Sequence, residues 1–483
     1  MSVAKPRRVV VIGAGITGLA ATHRVVELAE SHPVEVTLVE ASDRFGGIIQ
    51  TESIDGFVTE LGPDSFITNK PAGVRLCERL GFQDSLLDTD ATYRRSLVLR
   101  NGNPTEVPDG FMLLSPAKVW PILKSPIFSI VGKLRMGSEY FLPPKRLRDE
   151  ELDDWDESLA DFVRRRFGTE ALERIVQPMV GGIYTSDPEK LSLRATMARF
   201  WDLEQEHGSL IRGLRRQNKQ KKAKEAASGA RYGLFTTPKN GLRSIVDALV
   251  ERIRGNVNLM ASTKLIKVAK GAESETYSLH LVSDGKATEV NADEVIFALP
   301  AFRAADCLDD LCSELASDLR QIEYASSAVA VTTHRLQDVQ HPMDAFGLVI
   351  PKIENRRILA VSFPSRKFPN RADDGCIQLR TFIGGALQPE VLEADDSEVL
   401  QIVIEELKSI FGVMATLHST LSRHPQSMPQ YHVGHLNRIR RIRELEANLQ
   451  GIHLAGNAYD GVGIPDCIAS GEAAAEAAMS VAK

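Results

Sequence analysis

Three glycines at fixed spacing, in Gly13-Ala14-Gly15-Ile16-Thr17-Gly18, are the residues of this chain most clearly placed to do chemistry. An apolar run, Val9-Val10-Val11-Ile12, precedes them, and a helix-like stretch over 19–26 follows. A second apolar run, Val36-Thr37-Leu38-Val39, ends at Glu40. The spacing predicts a strand, a phosphate-binding loop, a helix and a second strand closed by an acid. In that unit Gly13 makes the tight turn, Gly15 lets a pyrophosphate approach the bare backbone, and Gly18 lets helix and strand pack closely. The helix N-terminus offers N–H groups and a positive dipole end to phosphate, and Glu40 can accept from ribose hydroxyls. The acid lies about 20 residues past the loop, as the dinucleotide unit requires.

The residues after Glu40 bear on which dinucleotide is bound. Ala41-Ser42-Asp43-Arg44-Phe45-Gly46-Gly47 offers a cation for phosphate and a second bare backbone for close approach. This E-x-x-x-R-x-G-G run resembles the signature of amine-oxidase-like flavoproteins, which favours FAD over NAD.

The elements that must position these residues are spread along 483 residues, enough for two or three domains with substantial cores. Hydrophobic residues at 43% and charged residues at 25% are ordinary for a globular protein. A net charge of −6 argues against a general nucleic-acid binder. Five cysteines without a C-x-x-C fit a reducing compartment better than a disulfide framework or structural zinc. The first strand starts close to Met1, so no signal peptide is expected, and no apolar run reaches the ~18 residues of a membrane span. A cytoplasmic protein with at most peripheral membrane contact is the expectation.

A discontinuous FAD-binding domain is expected over 1–88, 231–300 and 424–483. Pro71 to Leu80 reads as a helix, and the runs near 257, 263 and 277 read as a small β-meander. The run over 292–300 reads as a strand rejoining the parallel sheet. Residues 89–109 and 301–423 read as an α+β substrate-binding domain. Residues 110–230 read as a helical lid or membrane-facing subdomain, in which 110–210 combine proline breaks with helical periodicity. Phe111-Met112-Leu113-Leu114 and Ile127-Phe128-Ser129-Ile130-Val131 lie near Lys118, Lys124, Lys133 and Arg135, as in a membrane-surface helix. A helical lid packed on its own domain is the preferred reading. The basic run from Arg212 to Arg231, with Lys219, Lys221, Lys222 and Lys224, reads as a solvated loop. At the C-terminus, Gly461-Val462-Gly463-Ile464-Pro465-Asp466-Cys467 leads into an alanine-rich helix whose first turn holds Pro465. In a glutathione-reductase-like flavin fold that helix aims its N-terminus at the flavin and stabilises negative charge on it.

Gly62-Pro63-Asp64-Ser65-Phe66, Gly182-Ile183-Tyr184, Ser427-Met428-Pro429-Gln430-Tyr431-His432-Val433-Gly434-His435 and the run 461–467 together resemble the oxygen-dependent porphyrinogen oxidases of haem biosynthesis. The likeness spans essentially the whole chain and is strongest to the bacterial branch acting on coproporphyrinogen III, and often on protoporphyrinogen IX. It implies an α/β fold: a glutathione-reductase-like FAD-binding Rossmann domain, an α+β substrate domain and a helical subdomain, the amine-oxidase-like arrangement. It implies FAD contacts at Gly13, Ala14, Gly15, Ile16, Thr17, Gly18, Glu40, Ala41, Arg44, Gly47, Gly62, Pro63, Asp64, Ser65, Leu265, Val462, Gly463 and Ile464. One departure is His424, which stands where bacterial members carry a tryptophan on the flavin side.

The implied reaction removes six electrons from a porphyrinogen in three hydride transfers to flavin N5. Dioxygen reoxidises the flavin each time, so three hydrogen peroxide form. No acid–base pair is required, and no catalytic side chain is assigned; the flavin carries the chemistry. The substrate is an apolar disc edged by carboxylates, so it needs cations at its rim. Lys70 and Arg95 are the candidates, against the plain reading of each as a solvated surface residue. His432 and His435 lack the neighbours of a metal site, and no metal is expected; Tyr431 and His432 are read as fixing the loop that enters the flavin domain. Other haem-pathway enzymes are expected partners. Two alternatives stay open: another flavin amine oxidase or carotenoid desaturase, or a flavin-binding haem-pathway partner without turnover. The run 461–464 lacks the paired aromatics by which amine oxidases cage their substrate.

Overall fold

The structure is a computed structural model. It describes residues 6–29, 33–54, 56–108, 111–112, 115–116, 119–148, 154–225, 234–271, 276–373 and 375–480. Its first layer is a five-stranded, all-parallel sheet. The strands run in the order Val257–Met260, Val34–Val39 (β2), Arg7–Ile12 (β1), Glu294–Phe297 and Ile452–Leu454. Both ends of the chain and its middle build this sheet. Val9, Val10 and Val11 are buried because both faces of the sheet are covered, which is why β1 reads as a continuous apolar run.

On one face lie the helix Ile16–Leu28 (α1), the helix Pro71–Leu80 (α2) and the C-terminal helix Ile464–Met479. The C-terminal helix packs directly on α1. A Cβ at Gly471 would stand 2.2 Å from the Thr17 carbonyl oxygen, so only glycine allows this approach. On the other face, a meander of Thr263–Lys270, Tyr277–Ser283 and Lys286–Ala292 shares a core with β1 and with helices Ala301–Leu308 and Ser313–Arg320.

Two sequence expectations change here. The strand Val257–Met260 pairs in parallel with β2, and the third strand of the meander is Lys286–Ala292. A four-residue apolar run carries no information about its partner; the sheet edge at β2 decides it. The two helices within 301–320 pack against the dinucleotide sheet, because their alanine- and leucine-lined faces meet Phe297 and Leu279.

The second layer is a seven-stranded sheet, in the order His418–Pro429, Tyr324–Arg335, Cys376–Gly384, Ala360–Ser362, Gly347–Val349, Leu97–Arg100 and Asn103–Glu106. Period-two alternation gives it two faces. Ala328, Ala330, Ile377 and Leu379 join the core that covers the helix Asp396–Phe411. Val329, Val331 and Phe382 turn the other way and meet Leu61 of the dinucleotide domain.

The third part is helical and includes Ile130–Ser138, Leu159–Arg166, Gln177–Tyr184 and Leu193–His207. Its core holds a fully buried ion pair between Arg166 and Glu139. Glu139 also accepts from Ser209 Oγ at 2.6 Å and Leu210 N at 2.8 Å, which caps the helix Leu210–Glu225. That helix replaces the solvated loop expected from Arg212 onward, because propensity and this cap outweigh the charge of the run. Arg231 lies outside the described residues, as do Leu113, Leu114 and Lys118.

The apolar residues of this part divide. Ile127, Phe128 and Met136 are buried, whereas Trp120, Ile130, Val131, Leu134 and Phe141 are each two-thirds or more exposed. The face read as a packed lid therefore points outward over Ile130–Ser138. Lys124 Nζ lies 5.7 Å from the Trp120 ring and Lys133 Nζ donates to the Leu123 carbonyl, so the apolar face carries a basic border.

The α1 contact is directly testable. Gly471→Ala should lower the unfolding free energy by about 1–3 kcal/mol through forced helix separation, read from the urea midpoint at unchanged slope.

Candidate functional site: a dinucleotide cradle

The loop 13–18 leaves β1 and enters α1 with Gly15 as N-cap. Gly18 packs so tightly that a Cβ would stand 1.8 Å from the Gly13 carbonyl oxygen. Gly15 is the opposite case, with no atom within 4 Å where its Cβ would be. No side chain caps α1 and no acid occupies its first turn, so no side chain competes for its N–H groups and dipole end. Glu40 is held beside them. One carboxylate oxygen accepts from Ala14 N at 2.7 Å, the other from Ser42 N at 2.9 Å and Ser42 Oγ at 2.8 Å.

The 40–47 segment folds over this loop. Gly46 N donates to the Ala14 carbonyl at 2.7 Å, and the backbone at Gly47 passes close to Gly15. Arg44 donates to the Gly47 carbonyl at 2.6 Å, so it braces its own loop. Ala41 is exposed at the turn. Thr263 N bonds the Glu40 carbonyl at 2.8 Å, which brings Leu265 in from the meander two residues later.

Two further segments close the cradle. The run 462–464 starts the C-terminal helix, whose N-cap is Gly463. Tyr431 positions it: its hydroxyl donates to the Asn457 carbonyl at 2.6 Å and accepts from Gly461 N at 3.0 Å. The Tyr431 ring stacks on His435 at 4.0 Å, and burial holds His435 down to about 4, neutral against the ring. His432 lies on the other side, 3.7 Å from Glu323. The loop of Gly62, Pro63, Asp64 and Ser65 reaches the same region, since Phe66 and Pro465 both pack at Gly73.

Asp64 is the electrostatic centre of that loop. It lies 3.1 Å from Arg380 Nη1 and 3.4 Å from Lys367 Nζ, with side-chain accessibilities of 13%, 2% and 13%. Lys367 also donates to Ser65 Oγ at 2.7 Å, and Arg380 donates to the Glu60 and Gly62 carbonyls. Burial alone would raise the Asp64 carboxyl, but Lys367 and then Arg380 hold it well below the usual range. Arg380 and Lys367 were not among the residues expected from the sequence. A signal was present: Gln378, Arg380 and Phe382 alternate on one face of a strand, with an arginine where an apolar residue is usual.

His424 joins this corner. Its Nε2 lies 2.9 Å from the Leu61 carbonyl, so that nitrogen carries the hydrogen. Burial, then Arg380 and Arg44, lower its pKa and keep the ring neutral.

The two cations expected at a substrate carboxylate are both engaged elsewhere. Lys70 Nζ holds both oxygens of Asp466, at 2.6 and 2.8 Å. Arg95 pairs with Asp344 at 3.3 Å on the surface, and among the described residues no contact joins it to the loops around Gly15.

A strand-loop-helix with an open glycine, a fixed acid on the next strand and a second helix N-terminus brought in from the far end of the chain define an FAD-type oxidoreductase fold. Residues 16–479 match the family of flavin containing amine oxidoreductases, and the chain belongs to it. Within it, the chain is a member of the coproporphyrinogen/protoporphyrinogen oxidase family. It is 36% identical to the coproporphyrinogen III oxidase of Bacillus subtilis over 98% of both chains. It is 30% identical to that of Staphylococcus aureus over 97% of this chain and 98% of the other. A solved structure of a candidate protoporphyrinogen oxidase from Exiguobacterium sp. 255-15 superposes with a TM-score of 0.85 at 28% identity, covering 98% and 99% of the two chains. Putrescine oxidase, at 16% identity and TM-score 0.67, shares the fold.

Removing the central carboxylate should be costly. Asp64→Asn leaves Lys367 and Arg380 without their counter-charge and should lower stability by about 3 kcal/mol. The folded pKa lies below the unfolded value of about 3.9, so this contribution is complete above that value and lost as pH falls toward the folded one. Urea melts between pH 3 and 6 should show a shallower acid-side loss in the variant.

Proposed function

We propose that this protein oxidises a porphyrinogen to the porphyrin in haem biosynthesis, using FAD and dioxygen. Coproporphyrinogen III is the proposed substrate, with protoporphyrinogen IX as an alternative. The observation that carries this reading is the cradle, open at Gly15 and bounded by two helix N-termini, in a chain that aligns end to end with coproporphyrinogen III oxidases. The residues present fit FAD: α1 lacks a cap that would compete with pyrophosphate, and Glu40 is already oriented for a ribose.

Bound FAD supplies the hydride acceptor and passes electron pairs to dioxygen. Overall, porphyrinogen and three O2 give porphyrin and three H2O2. The chain supplies position and dryness. Leu61, Val329, Val331 and Phe382 form an apolar wall beside the loop 62–65, and Tyr431 fixes the run that leads into the C-terminal helix. Anaerobic mixing of the yellow protein with coproporphyrinogen III should bleach the flavin, and admitting air should give porphyrin fluorescence with about three peroxides per porphyrin. Protein that stays yellow under those conditions would exclude the assignment.

The reading extends to a cytoplasmic protein that meets a membrane surface peripherally. Trp120, Ile130, Val131, Leu134 and Phe141 are exposed together with a lysine border, and no helix among the described residues is long and apolar enough to cross a bilayer. The protein should co-sediment with anionic vesicles, and Ile130→Ser with Leu134→Ser should release it. Equal pelleting of both forms would argue against this face.

A further inference from the structure

The Lys70–Asp466 pair is not used by the reaction as described above. Asp466 is the third residue of the C-terminal helix, and its carboxylate accepts from Gly463 N at 3.3 Å. An acid in the first turn is normally a favourable partner for a helix dipole. Here the helix end also borders the cradle. A full negative charge there opposes further negative charge arriving on a bound group, and so cancels what the dipole would offer. The Asp466 side chain is only 14% accessible, so water screens it weakly. Its charge is felt nearby: burial and then Asp466 push the Tyr184 phenol up to about 12.

Lys70 meets that charge directly. It immediately precedes α2, which packs on the C-terminal helix where Gly73 meets Pro465. Its ammonium contacts both carboxylate oxygens, although the side chain is 48% accessible. We infer that Lys70 is a positioning residue for the cofactor: it neutralises Asp466, so that the N-terminus of the C-terminal helix presents its positive end to the reduced flavin. This rests on the FAD reading of the cradle and assigns Lys70 a role other than holding a substrate carboxylate. Lys70 thereby keeps the Asp466 charge from lowering the flavin's reduction potential, and the charge of Asp466 left alone lowers it.

The test uses purified holoenzyme and compares wild type, K70M, K70R and the double variant K70M/D466N. Midpoint potentials are read by dye equilibration and KM in a steady-state assay with coproporphyrinogen III. In K70M the reduction equilibrium should shift about fivefold against the reduced flavin, about 20 mV for a two-electron couple. K70R should restore it, and so should D466N in the K70M background, with KM unchanged throughout. An unmoved potential in K70M overturns the inference. So does an equal fall in K70M and the double variant, which would make Lys70 act on the flavin directly. A raised KM at constant potential would return Lys70 to the substrate. Apoprotein that fails to quench FAD fluorescence on titration would instead overturn the cofactor reading itself.

Discussion

A largely buried carboxylate holds the dinucleotide domain and the seven-stranded sheet in register. Asp64 sits on a loop of the first and meets Lys367 and Arg380 of the second. Desolvating these groups is costly, and only their mutual attraction and their hydrogen bonds to Ser65, Glu60 and Gly62 offset the cost. The cluster ties the loop 62–65 to the seven-stranded sheet. The same loop reaches the C-terminal helix where Phe66 and Pro465 meet Gly73, and the face of Val329, Val331 and Phe382 packs on Leu61 beside it.

The cradle depends equally on backbones that touch. The loop 13–18 closes on itself at Gly18, and the C-terminal helix lies on α1 at Gly471. These contacts make the fold discontinuous in sequence but continuous in space. The N-terminal unit supplies one helix N-terminus of the cradle, and a helix from the other end of the chain supplies a second. Tyr431, from just beyond the long strand His418–Pro429, aligns that second helix through Gly461 and Asn457. The cradle thus draws on a residue that directly follows a strand of the seven-stranded sheet.

The helical part combines a rigid interior with an unsatisfied exterior. Glu139 is bonded to Arg166, Ser209 and Leu210 in a fully buried network, two residues before the exposed Phe141. Its apolar outer face is therefore presented by an anchored segment.

The local units were legible in the order of the residues. The glycine spacing, the acid at Glu40, the helix Pro71–Leu80 and the strand–turn–helix near the C-terminus all follow from period, turn chemistry and capping, which act within a dozen residues. The glycine-rich runs at the two chain ends were legible as motifs, and the C-terminal helix that follows the second packs on α1. The pairings were set by packing between distant segments. Val257–Met260 took the edge of the parallel sheet, Lys70 took Asp466, and Arg380 took Asp64, each across hundreds of residues of chain. A charged side chain carries no record of its counter-ion in its neighbours along the chain. Which charges meet is settled by burial, where an unpaired ion is costly and the packed backbone leaves one partner within reach.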